Sequence, residues 1–155
     1  MKKLEKTFSK FESNLSRAEA NAALVEIALL IEEICWDDEN SACCFLDDKI
    51  SKLIKHTPVV TDVYNIGTLL WVLGKYPFFD MRNIGDFVIS KGVNSEFIFQ
   101  NLLIALDNHL DYSDMKDATV SLVFDKMKDL NLLAEKFPYQ EELCSALIEK
   151  CSGIK

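Results

Sequence analysis

Residues 32–48, EEICWDDENSACCFLDD, hold seven carboxylates and three cysteines with no lysine or arginine among them. Such a stretch could be a metal site, an acid cluster for catalysis, or a surface for a basic partner. Zinc takes four nitrogen or sulfur ligands, commonly as two close pairs. Cys35, Cys43 and Cys44 are the only clustered thiols. Neighbours on a helix point about 100° apart, so Cys43 and Cys44 chelate poorly. His56 has no partner histidine nearby, and no Glu-x-x-His pair suggests a di-metal carboxylate site. A calcium loop needs a central Gly and a closing Glu, and DDENSACCFLDD has neither. No metal and no cofactor are expected.

Nucleophilic chemistry has as little to work with. The chain contains no Gly-x-Ser-x-Gly elbow, no phosphate loop and no Gly-x-Gly-x-x-Gly. Its two histidines, His56 at a helix end and His109 late in its helix, suit the helix dipole as cations and read as surface or capping residues. The protein is therefore read as a non-enzyme. Cys144 and Cys151 are seven apart, too far for one metal on one straight helix, and read as small core residues. Five cysteines, two of them adjacent, suit a reducing compartment. The charged N-terminus MKKLEKTFSKFE lacks the apolar core of a secretion signal. A cytoplasmic protein follows, with no membrane-spanning run.

The remaining reading is binding. The net charge is −8. Residues 18–48 carry nine acids and no base, whereas residues 1–17 carry five bases and two acids. Such a field repels phosphates and argues against nucleic acid as a ligand. It favours a basic protein partner, or simply solubility. Glu32, Glu33, Asp37, Asp38, Glu39, Asp47 and Asp48 would supply the charge, with Trp36 as an aromatic anchor. A second, weaker surface is the loop YPFFDMRN, through Tyr76, Phe78, Phe79 and Asp80. The blander alternatives are that Trp36 is core, that the acids form a solvated face, and that the loop aromatics pack inward.

These residues need a scaffold, and the periodicity gives helix after helix. Leu4, Phe8, Phe11 and Leu15 predict a helix over 3–16. Ser16 and Glu19 have the spacing of a capping box, which starts the next helix near Arg17. Its apolar stripe is Leu24, Ala28, Ile31 and Cys35, widened by Val25, Leu29 and Ile34. Glu19, Glu26 and Glu33 leave a narrow polar stripe. DDEN reads as a turn, with Asn40 or Ser41 capping a helix over 41–55. Pro58 opens a helix to residue 75, with Gly67 and Gly74 on one face for close packing. Further helices are expected over 83–91, 95–110 and 114–130, and after Pro138 up to Gly153. Asn94 and Ser113 are their caps, and Phe97, Asn101, Ile104 and Ala105 form one apolar face with Leu102 and Leu106 alongside. No strand is expected.

TLLWVLGKY at 68–76 echoes NLLIALDNH at 101–109, an offset of 33 residues, with LVEIALLIEE a looser copy. Repeats of about this length built from two helices mark an α-solenoid such as HEAT or armadillo. The expected architecture is a single helical domain over 1–155, all-α, made of three to four HEAT-like antiparallel hairpins. A compact irregular bundle is the alternative.

The segment Gly67-Thr68-Leu69-Leu70-Trp71-Val72-Leu73-Gly74, in a small acidic helical chain, resembles the helical immunity proteins of bacterial polymorphic-toxin and contact-dependent growth-inhibition systems. The resemblance covers about a third of the chain and implies a non-catalytic toxin inhibitor. Its partner would be a basic toxin domain, often a nuclease, with the inhibitor acting as a monomer. It transfers no binding residues, because the matching stretch is structural. A helical-repeat adaptor that binds another protein on its concave face is the alternative function.

Overall fold

The computed structural model describes residues 2–34, 39–55, 62–76, 79–90, 93–112 and 116–154. Among them are nine α-helices and two 3-10 turns, with no strand, so the chain is all-α. It divides into two compact units, residues 1–76 and 77–155.

The first unit contains α1 (Lys2–Ser9), α2 (Arg17–Ile34), α3 (Glu39–Lys55) and α4 (Val63–Lys75). Helix α1 stops short of its expected end. The Ser9 and Ser13 hydroxyls donate to the Lys6 and Lys10 carbonyls, each at 2.7 Å, and Lys10–Glu12 tighten into a 3-10 turn. Serine hydroxyls compete for backbone partners in this way, which favours helix ends over interiors. The Ser16–Glu19 capping box is present, its two reciprocal bonds both 3.2 Å. Helix α3 starts at Glu39, so Asn40 and Ser41 lie inside it rather than capping it. Helix α4 begins at an unpredicted cap. Asp62 accepts the backbone N–H of Tyr64 at 2.9 Å and of Asn65 at 3.3 Å, a stronger start signal than most residue types can give. The expected start at Pro58 and the stop at Pro77 lie outside the described residues.

Helices α2 and α4 form the most extensive packed pair in this unit. Thr68 on α4 donates to Asn21 on α2, 47 residues away, and Lys75 reaches Glu32, 43 residues away. The contacts climb both helices in the same order, so α2 and α4 run parallel. Helix α1 docks through the Thr7 and Lys10 side chains onto Glu26 of α2, and through Phe8, which meets Phe45 of α3 edge-on at 6.0 Å. The core between these helices holds Leu4, Leu24, Ile27, Ile31, Leu46, Ile50, Leu69 and Leu73, each with essentially no exposure.

The second unit repeats the plan. It contains α5 (Arg82–Ser90), α6 (Glu96–Tyr112), α7 (Lys116–Asp125), α8 (Met127–Lys136) and α9 (Glu141–Ile154). Gln140 reaches Glu96, 44 residues away, and Lys150 reaches Asp107, 43 residues away, so α6 and α9 are also parallel. Gly85 faces Leu122 and Asp86 pairs with Lys126, which puts α5 alongside the C-terminal end of α7. In each unit a pair of helices, α2 with α4 and α6 with α9, therefore lies parallel, which fits an all-α bundle or an arrangement of helical hairpins. The residues bonded across α2/α4 and α6/α9 lie 43–47 positions apart; the 33-residue echo runs from the first unit to the second.

The expected helix over 114–130 bends at Lys126, whose φ of −107° and ψ of 13° leave the helical region. The hydrogen bonds continue across the bend, from Lys126 N–H to the Leu122 carbonyl and from Leu130 N–H to the Lys126 carbonyl. Asn94 does not cap α6. Its side-chain oxygen accepts from Lys136 Nζ at 3.2 Å. Gly153 does not stop α9, which runs through it to Ile154. Three residues assigned to apolar stripes face outward: Leu29 is 51% exposed, Phe97 45% and Ile104 38%. Leu102, Ala105 and Leu106 of the expected α6 face are buried, and Ile98, Phe99, Leu103 and Leu110 join them. Cys144 and Cys151 are buried, as expected, and burial pushes both thiols up from their ordinary pKa.

Candidate protein-binding surface

The expected acidic surface is drawn from the end of α2 and from α3. Glu32 and Glu33 occupy the last turn of α2, which has no basic residue. Carboxylates there oppose the negative end of the helix dipole, so they do little for the helix itself. Glu32 has a 3.4 Å contact with Lys75, and its side chain remains 56% exposed. Glu33 is exposed and has no hydrogen bond or ion pair among the described residues. Asp48 pairs with Lys52 one turn on, at 3.1 Å, with 59% of its side chain exposed. Asp47 is exposed and accepts a 2.7 Å hydrogen bond from the Tyr76 hydroxyl. Glu39 begins α3, but its side chain is not among those described. Trp36, Asp37 and Asp38 lie outside the described residues.

Lys75 and Tyr76 gather part of this set. They are consecutive residues at the end of α4, and they take one acid from α2 and one from α3. Glu32 and Asp47 are thereby held at the same end of the first unit. Pattern reading missed this role for Lys75 and Tyr76, because neither belongs to the acidic window. The available signal was the juxtaposition of a cation and a hydroxyl at a helix end.

The aromatic loop needs correction. Tyr76 has no exposed surface and Phe79 only 8%, so both ring systems are core residues rather than anchors for a partner. The Tyr76 hydroxyl donates to Asp47 at 2.7 Å. Phe78 lies outside the described residues. Asp80 is half-buried and takes Arg82 Nε at 3.1 Å and Nη2 at 2.6 Å. Its carboxylate also accepts the Arg82 backbone N–H at 2.9 Å. The Arg82 guanidinium holds Asp80 below the usual carboxylate range. That arrangement organises the start of α5.

The charge picture also changes in three dimensions. The three glutamates spaced seven apart on α2 have three different fates. Glu19 closes the capping box and is held low by Ser16. Glu26 is held low first by Lys10 and then by Thr7. Only Glu33 is left to solvent. Because the N-terminal lysines belong to the same unit as the acidic window, residues 1–76 balance nine bases against twelve acids, whereas residues 77–155 set eight bases against thirteen. The second unit is the more acidic one.

An apolar crevice of about 270 Å³ lies between α1 and α3, floored by Phe8, Phe11 and Leu53, with Lys49 and Lys52 at its rim. Among the described residues no cluster of His, Cys, Asp or Glu is arranged to hold a metal ion. No helix among them is long and apolar enough to cross a membrane. Compared with known proteins, the chain matches no family model, no curated protein and no solved structure.

Proposed function

We propose that this is a cytoplasmic, non-enzymatic immunity protein that binds a basic toxin domain, such as a nuclease, and neutralises it. The supporting observation is Glu33: an exposed carboxylate with no partner among the described residues, on a helix end that disfavours negative charge. Glu32 and Asp48 stand with it, each more than half exposed. A carboxylate that does not stabilise its own helix is well suited to meeting an external cation. Its field would speed encounter with a cationic cleft and weaken with salt.

Co-expression with a toxin domain encoded beside the gene tests this reading. The parent chain should restore growth. The triple variant Glu32→Lys, Glu33→Lys, Asp48→Lys should fold normally yet lose rescue, with association slowed at least tenfold. Full rescue by the triple variant would remove the acidic end from the mechanism.

The adaptor reading has its own support in the first unit. Leu29 and Tyr64 are 51% and 47% exposed on the paired helices α2 and α4. Under that reading, binding would follow Leu29→Ser and Tyr64→Ser rather than the charge reversals.

A further inference from the structure

In the second unit, three of the five exposed large apolar side chains among the described residues share a pair of helices with the excess carboxylates. Phe97 and Ile104 are seven residues apart on α6, two turns along one line, and are 45% and 38% exposed. Ile154 on α9 is 38% exposed. Helices α6 and α9 together carry six carboxylates, Glu96, Asp107, Asp111, Glu141, Glu142 and Glu149, against the single lysine Lys150. The unit's other helices, α5, α7 and α8 with Lys126, carry five acids and five bases. The excess negative charge of this unit's helices therefore falls on α6 and α9. The other exposed large apolar residues here are Leu132 on α8 and Tyr139 in the turn before α9.

The face already shows how it holds a cation. Lys150 Nζ lies 3.0 Å from Asp107 and also pairs with Asp111, while all three side chains remain about one-third exposed. Two carboxylates four residues apart on one helix thus form a seat for an ammonium group beside an apolar line.

We infer that the α6/α9 face docks a cationic amphipathic helix of a partner protein, with its apolar side on Phe97 and Ile104 and its lysines or arginines along the α6 carboxylates. Two apolar side chains two turns apart offer such a helix a strip for its apolar face. The charge sign disfavours a nucleic acid or an anionic membrane. The inference is independent of the acidic end of the first unit and does not require the partner to be a toxin.

The probe is a fluorescently labelled eighteen-residue Lys/Leu peptide with helical periodicity. Its control has the same composition in scrambled order, and both are titrated into the full-length chain at low salt. The patterned peptide should bind at least tenfold more tightly than the scrambled one. Phe97→Ser with Ile104→Ser should erase that preference, with circular dichroism and melting temperature unchanged. As a second check that leaves the apolar residues in place, Gln100→Lys, at an exposed position between them, should weaken binding about threefold or more by repulsion. Glu32→Lys with Glu33→Lys should leave peptide binding intact. Equal binding of the two peptides, or full affinity in both the serine and the Gln100→Lys variants, would overturn the inference. So would loss of binding only in the Glu32/Glu33 variant, which would place the peptide at the first unit.

Discussion

A glutamate's contribution here depends on what its carboxylate meets, and α2 offers a matched comparison. Glu26 accepts from Lys10 at 3.1 Å and from the Thr7 hydroxyl at 3.0 Å, a hydroxyl that also lies 2.9 Å from the Lys3 carbonyl. Thr7 is 1% exposed, so removing Glu26 leaves a buried hydroxyl with one acceptor fewer. The Glu26 side chain is 47% exposed, so solvent screens much of the ion pair. Glu26→Ala should therefore cost about 1 kcal/mol of folding stability, read as a lower urea midpoint with unchanged slope. Glu33→Ala should change stability by no more than about 0.5 kcal/mol. The spacing of seven identified both as outward-facing. It could not distinguish them, because the partner of Glu26 comes from another helix.

At the scale of elements, Gly85 brings α5 close against α7. A Cβ placed on Gly85 would sit 2.5 Å from one Leu122 methyl and 3.3 Å from the other. Leu122 is 4% exposed, so its side chain has little room to retreat. Gly85→Val should destabilise by about 1–3 kcal/mol through overpacking, measured by chemical denaturation. Restoration of stability by a second change, Leu122→Ala, would confirm that the contact is responsible. An unchanged midpoint in the single variant would show that this pair is not tightly packed. Gly67 and Gly74, which pattern reading picked for close packing, are buried on α4. Gly85 was not picked, since a lone glycine near a helix start looks like punctuation until its neighbour is known. Element type was legible throughout because apolar periodicity is strong. Element ends were less so, since Asp62 and the Ser9–Ser13 segment act through backbone hydrogen bonds that hydropathy does not register.

For the molecule as a whole, the ionised carboxylates link stability to pH. Glu19, Glu26 and Asp80 all have native pKa values below their ordinary ones, through Ser16, Lys10 and Arg82 respectively. Near pH 4 the unfolded chain therefore binds protons that the native chain still refuses, and stability rises with pH. The stabilisation is present above the ordinary carboxylate values and is lost as pH falls through the depressed native ones. The urea midpoint should be flat between pH 6 and 7 as far as these groups are concerned, and should drop steadily from about pH 5 to pH 3. A midpoint at pH 3 equal to that at pH 7 would mean these contacts contribute nothing. The sequence by itself determined the all-helical class, the capping box at Ser16, the burial of Cys144 and Cys151, and the sign of the charge. Each of these is set by local periodicity, local hydrogen bonding or composition. Only the tertiary structure decided that Tyr76 and Phe79 turn inward, that Phe97 and Ile104 face outward, and that the second unit is the more acidic. Those outcomes depend on which helices lie side by side, and contacts between residues 43–47 positions apart leave no signature in any short window of sequence.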